Sequence, residues 1–255
     1  MHALITNDDG IDSPGLVALA GAAVAAGLDV TVAAPSWDSS GASASLTAVQ
    51  NDGRFLVEEL DPPRVEGTRW YSVEAPPAFI VRAALEGAFG VDVDVVLSGI
   101  NLGPNLGSAV LHSGTVGAVL TASTQGCRGM AVSLAVGSPV HWDTAAAVAG
   151  GLLPWMLSAD QGVALNLNVP NVALGEVRGL RRAGLASRGT VQATVTEQGK
   201  GYVKMNFVQG DGEFEEGTDA ALLADGYACF TPLVATCEAG AVDTSGIPDL
   251  APAPH

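Results

Sequence analysis

Residues 5–15 read "ITNDDGIDSPG". An apolar run, "HALIT" (2–6), ends in two adjacent carboxylates, Asp8 and Asp9, followed by Gly10. Neighbouring acids repel each other, so their place at a strand end calls for a reason. One reading is a surface turn, which Asn, Asp and Gly favour by about two to one on turn chemistry alone. The other is a cation site, in which a bound ion offsets the repulsion. Just beyond, Pro14 can open a helix running through Ala26, which Gly27 can close.

Working outward, strand-like and helical runs alternate. "LDVTVAA" (28–34) reads as a second strand, followed by the polar loop "PSWDSSGASAS" and a hairpin region around Asn51 to Tyr71. "PAFIVRAALEGAFG" (77–90) reads as a helix and "VDVVLSGIN" (93–101) as a strand covered on both faces, being nearly continuous in Val and Leu. A helix over 115–126, a strand over 129–136, a helix over 142–157 and a strand over 163–170 follow. This rhythm predicts an α/β fold: a Rossmann-like open, mostly parallel sheet with helices on both faces and right-handed crossovers. After Pro170 the runs shorten and hairpin-like pieces appear, as in 190–208, predicting a smaller β-rich C-terminal extension. The expected organisation is a catalytic core over 1–170, an appended subdomain over 171–245 that serves oligomer contacts, and a flexible Pro-rich tail over 246–255.

Composition narrows the partners. The net charge is −16, from 27 acidic against 11 basic residues, and Lys200 and Lys204 are the only lysines. The imbalance is a shortage of lysine, and it argues against a nucleic acid backbone or an anionic membrane as partner. An anionic small substrate would need a metal or backbone N–H groups to receive it. Cys127, Cys229 and Cys237 show no metal-ligand spacing and cannot all pair with one another, which suits reduced thiols in the cytoplasm. The N-terminus has no basic stretch followed by a long apolar one, and no segment reads as a membrane span.

In an open parallel sheet, ligands bind beyond the carboxyl ends of the strands. There the chain places "NDDG", then a loop with Ser39, Ser40 and Gly41, then "SGINLGPNLG". Asp8, Asp9, Ser40, Asn101 and Asn105 therefore converge on one rim. All are oxygen donors, which suits a hard divalent cation such as Mg²⁺ or Mn²⁺ rather than zinc. In "HSGTVGAVL" (112–120), Ser113 or Thr115 can cap a helix and Gly114 lets backbone approach a ligand, so this helix start is a candidate phosphate site. "GINLGPNLG" lacks the glycine spacing of a dinucleotide fingerprint, and the first turn carries acids where a pyrophosphate would sit. A dehydrogenase is thereby disfavoured.

Together, "ITNDDGIDSPGLVALA", "SSGASASLT", "LSGINLGPNLG", "HSGTVGAVL", "LNLNVP" and "TDAALLADGYACFTPL" resemble, in order, the signature segments of the SurE family. Its members are metal-dependent 5′/3′-nucleotidases, also called survival proteins. The resemblance implies removal of phosphate from nucleoside monophosphates, one divalent metal ion per subunit, and a homodimer or homotetramer assembled through the C-terminal extension. It implies Asp8, Asp9, Ser40 and Asn101 as metal ligands, with Asp8 and Asp9 as catalytic residues. Asn105, Ser113, Gly114 and Thr115 match the segments that line the phosphate pocket. The expected metal is Mg²⁺ or Mn²⁺, and Ca²⁺ can occupy such oxygens in a crystal. The chain departs from the family pattern at His112, where Tyr is usual, and at Ala109, Thr121 and Phe79, where acidic residues are usual. His112 is either a proton donor to the leaving oxygen or an exposed loop residue. Two alternatives follow from the departures: a homologue that binds metal and phosphate ester without turnover, or a phosphatase with a specialised non-nucleotide substrate.

Overall fold

The computed structural model describes residues 1–48, 52, 54–187, 191–209 and 214–237. Strand β1 (His2–Thr6) is central because its residues are buried on both faces. Ala3 and Ile5 enter one core, and Leu4 enters the other. The chain continues through α1 (Pro14–Ala25), β2 (Asp29–Pro35), β3 (Val57–Leu60), β4 (Arg69–Val73), α2 (Pro77–Leu85) and β5 (Val95–Leu102). A 3₁₀ turn at Gly107–His112 leads into α3 (Gly114–Thr124), β6 (Arg128–Leu134), α4 (Trp142–Ser158) and β7 (Ala164–Val169). Beyond Pro170 come β8 (Leu180–Arg182), β9 (Val191–Gly199), β10 (Tyr202–Gln209), α5 (Asp219–Ala224) and β11 (Ala228–Leu233).

Nine strands form one sheet in the order β3-β4-β2-β1-β5-β6-β7-β11-β8. The ladders from β4 to β7 are parallel, and β3 and β11 pair antiparallel to their neighbours β4 and β7. Helices α1 and α4 cover one face over a core that includes Leu16, Leu19, Leu97, Met130 and Leu167. Helices α2 and α3 cover the other over Leu4, Val96, Val116, Val119 and Ala131. The period-two switch between the cores along β1, β5 and β6 is the strand geometry expected of a doubly covered sheet. It agrees with the fold class expected from the sequence.

Some boundaries differ from the sequence reading. The helix expected over 77–90 stops at Leu85, and the chain turns through Gly87 and Gly90 at positive φ. The sheet does not stop at Pro170, since β11 and β8 extend it. Among the described residues, only β9 and β10 stand apart, as a two-stranded antiparallel sheet. The tail expected over 246–255 lies outside the described residues.

A buried carboxylate ties that C-terminal edge to the rim. Asp219, fully buried, accepts the Gly107 N–H at 2.8 Å on one oxygen. Its other oxygen accepts the Ala186 and Ala220 N–H groups, both at 2.9 Å. Asp219→Ala would leave these donors unsatisfied, and an unpaired buried group costs about 1–3 kcal/mol. Chemical denaturation is expected to show a loss of about 3 kcal/mol or more. Asp219→Asn, which keeps an acceptor oxygen, should fall between that variant and the wild type.

Candidate active site

The chain passes from β1 to β2 on one side of the sheet and later returns to β5 on the other. This reversal opens a crevice at the carboxyl ends of β2, β1 and β5, where ligands of open α/β sheets bind. Asp8 and Asp9 follow β1, Ser40 lies in the loop after β2, and Asn101 is near the end of β5. Three loops remote in sequence thus belong to three adjacent strands.

Asp8 is only 4% exposed. One carboxylate oxygen accepts the Gly114 N–H at 3.1 Å, and the other accepts the Thr115 hydroxyl. Burial raises its carboxyl above the usual carboxylate range, an effect that these donors offset only in part. The contact depends on Gly114 having no side chain, because a Cβ there would lie 2.7 Å from Asp8 Oδ2 and 2.8 Å from its Cβ. Ser113 caps α3, its Oγ accepting the Val116 N–H at 3.0 Å. On the strand side, the Asn7 side chain bridges to the backbone of Gly10 in both directions, at 3.0 and 3.2 Å. Gly10 adopts φ +97°, and a Cβ there would meet the Trp37 backbone at 3.2 Å.

Asp9 is less enclosed, and its pKa is pushed up to about 6. Burial is the first cause and the charges of Asp8 and Asp38 come next, while the Leu102 N–H acts in the opposite direction. The Ser39 N–H and hydroxyl both donate to the Asp8 carbonyl, at 2.7 and 3.2 Å, clamping the second loop onto the first. Beside it, Asp38 Oδ1 accepts the Ser40 N–H at 2.9 Å and the Ser40 hydroxyl at 2.5 Å. Ser40 itself is exposed. Asn101 donates through Nδ2 to the Gly103 carbonyl at 2.6 Å, which leaves its Oδ1 as an acceptor. The donor set is therefore two carboxylates, an amide oxygen and a hydroxyl, a set that fits a hard divalent cation. Among the described residues, no three His, Cys, Asp or Glu side chains cluster as a metal site. A cation here would take neutral oxygens for its remaining ligands.

Of the residues expected to bind phosphate, Gly114 and Thr115 are turned to Asp8. Ser113 keeps its hydroxyl hydrogen free while its oxygen caps the helix. Asn105 is built into an asparagine cluster. Its N–H donates to Asn168 Oδ1 at 2.8 Å, its Nδ2 to Ser133 Oγ at 2.8 Å, and its carbonyl accepts from Asn166 and Asn168 at 2.7 and 3.1 Å. Of the departures, His112 is exposed, Thr121 donates back to the Gly117 carbonyl, and Phe79 packs edge-on against Phe55 with ring centroids 5.0 Å apart. Asp12 pairs with Arg64 on the surface, away from this network.

Ser39, Asp38, Ser133, Asn166 and Asn168 were not among the residues picked from the sequence. For the last two a signal existed. "LNLNV" puts asparagines at every second position of a strand whose other face is fully apolar, a pattern that marks a buried polar site.

The family model for "Survival protein SurE" matches residues 3–192. The chain belongs to the SurE family. It is 38% identical over 239 residues to the 5′-nucleotidase SurE of Marinomonas sp. (strain MWYL1), covering 91% of each chain. To the 5′-nucleotidase SurE of Alkalilimnicola ehrlichii it is 38% identical over 242 residues, covering 91% of this chain and 89% of that one. The crystal structure of the SurE protein from Aquifex aeolicus superposes with a TM-score of 0.77 at 29% identity, covering 96% of this chain and 98% of that one.

In this SurE chain, the raised pKa of Asp9 couples to stability with a definite sign. The folded state holds a proton on Asp9 up to about pH 6, whereas an unfolded Asp releases it near pH 4. The stabilising effect is therefore complete below pH 4 and is lost as pH rises to about 6. In metal-free protein, Asp9→Asn should flatten the fall in Tm between pH 4 and 6 and raise Tm above wild type at pH 7. Thermal melts in chelator across this range test it, and parallel curves for the two proteins would refute it.

Proposed function

We propose that this SurE-family chain is a divalent-cation-dependent phosphomonoesterase that releases phosphate from nucleoside 5′- or 3′-monophosphates or related small esters. The shared name of the relatives, 5′-nucleotidase SurE, supports the reaction class. The observation that carries the site is the fixing of Asp8 at the start of α3, at the same rim as Asp9, Ser40 and Asn101. In this reading Asp8, Asp9, Asn101 Oδ1 and Ser40 Oγ hold one Mg²⁺ or Mn²⁺ per subunit. When bound, that ion supplies Lewis-acid polarisation and charge neutralisation at a phosphoryl oxygen.

The chain's own groups do the rest. Among the residues expected to bind phosphate, the Ser113 hydroxyl hydrogen and the second Nδ2 hydrogen of Asn105 are the donors left for the equatorial phosphoryl oxygens. Gly114 and Thr115 support the reaction by holding Asp8 rather than by touching phosphate. Because both Asp8 oxygens already accept hydrogen bonds, it is a poor nucleophile, and direct attack by water is favoured over an aspartyl phosphate. Cysteine chemistry is disfavoured too, since burial pushes Cys127 up to about 11 and Cys229 up to about 12. His112 is exposed on the 3₁₀ turn and, among the described residues, has no hydrogen-bond partner in the site.

The wider setting is also a proposal. Among the described residues, no helix is long and apolar enough to cross a membrane. Free Cys127, Cys229 and Cys237 support a reducing cytoplasm. The detached β9–β10 hairpin, with exposed Val195, Tyr202 and Val203, supports a role in a homodimer or homotetramer. The relatives' name, 5′-nucleotidase SurE, supports a small phosphate ester as partner, and the net charge argues against nucleic acid and membrane.

Phosphate release from nucleoside monophosphates should require Mg²⁺ or Mn²⁺ and stop in chelator. Asp8→Asn should lower kcat by about 10²–10³-fold, the scale set by losing one preorganised charge-stabilising contact. Turnover unchanged by chelator would rule out the cation. Metal-dependent ligand binding with no release from any phosphomonoester would instead favour the binding-only homologue.

A further inference from the structure

Beside Ser40 lies a cavity of about 350 Å³, walled by Trp37, Ser40, Ser45, Thr47 and Pro76 among others. It is within the size range of small-molecule sites. Since Ser40 is a proposed cation ligand, the cavity lies beside the proposed cation site, where it can receive part of an ester bound there. None of the residues described as lining it carries a charge. Asp38, next to it in sequence, adds negative charge to that side. A second phosphate or a carboxylate on the leaving group would find no cation there and a carboxylate close by.

Trp37 leaves 41% of its surface open, whereas Trp70 is fully buried. Its loop is pinned on both sides: the Ser36 N–H donates to the Val73 carbonyl at 2.9 Å and the Ser39 N–H to the Asp8 carbonyl at 2.7 Å. Its own backbone rests on Gly10 of the aspartate turn. An indole carried on a backbone pinned in this way and lining an uncharged cavity offers a stacking surface, and such surfaces bind bases through their π-faces.

We infer that Trp37 is a specificity-determining residue that stacks a planar aromatic, uncharged leaving group, so that the site selects nucleoside monophosphates over non-aromatic sugar phosphates. This rests on the phosphomonoesterase reading above. The test compares KM for AMP and for ribose 5-phosphate in wild type, Trp37→Ala and Trp37→Phe, with Mg²⁺ or Mn²⁺ present. The wild-type preference for AMP should fall about tenfold in Trp37→Ala, which equals about 1.4 kcal/mol and is of the size of one base–aromatic stack. Trp37→Phe should restore most of it. In parallel, adenosine should quench tryptophan fluorescence in the wild type and not in Trp37→Phe. Equal KM changes for both esters, or an unchanged preference, would overturn the role of Trp37. If neither ester is hydrolysed by the wild type, the phosphomonoesterase reading fails. The fluorescence arm then still decides whether Trp37 binds a nucleoside: quenching that is lost in Trp37→Phe supports it, and quenching that persists, or none at all, overturns it.

Discussion

The buried carboxylate of Asp8 at the start of α3 is the contact on which the rest of the site depends. A charge this enclosed is normally matched by an opposite charge, yet no Lys or Arg is among the groups acting on Asp8 or Asp9. Backbone dipoles take that part. The N-terminus of α3 offers a free N–H at Gly114 and a hydroxyl at Thr115, and the partial positive charge of the helix end favours an anion there. The arrangement has strict requirements. β1 and β5 must be neighbours, Ser113 must cap the helix one residue earlier, and position 114 must lack a Cβ.

This contact also explains where the sequence was only half legible. "HSGTVG" carries the marks of a capped helix with an open anion site, and both the cap and the anion are present. The anion, however, is the protein's own Asp8, and nothing local to residues 112–117 could reveal that. The same holds for Asn105, whose backbone carbonyl is held by Asn166 and Asn168 on a strand about 60 residues downstream. The identity of such groups follows from residue type and strand ends, but their partners follow from strand order, which only the folded sheet supplies.

At the level of fold, the parallel strands were readable because burial on both faces leaves continuous apolar runs, as in "VVL" of β5 and "MAV" of β6. The far edge was not. β8 is three residues long, all of them exposed, and too short to carry a period. β11 contains Pro232, a residue that argues against a ladder position, yet it pairs with Leu165. Both strands are held in place by long-range pairing, and Asp219 adds an anchor through contacts 33 and 112 residues away. Local propensity says little about any of these.

Charge links the site to the molecule as a whole. The raised pKa of Asp9 records its burial first and then the charges of Asp8 and Asp38. With a net charge of −16 behind it, such a rim repels a phosphate ester dianion. The α3 N-terminus cannot offset that repulsion, because Asp8 already uses it. Among the residues expected to bind phosphate, the donors left free, on Ser113 and Asn105, are neutral. Under the proposed function, a cation therefore has two tasks. It must relieve the repulsion between the aspartates, and it must turn an anion-repelling rim into one that accepts phosphate. This favours an order in which the cation binds before the ester. A site built around one buried acid and a helix end has given up its own positive charge, and it relies on the ion to supply that charge.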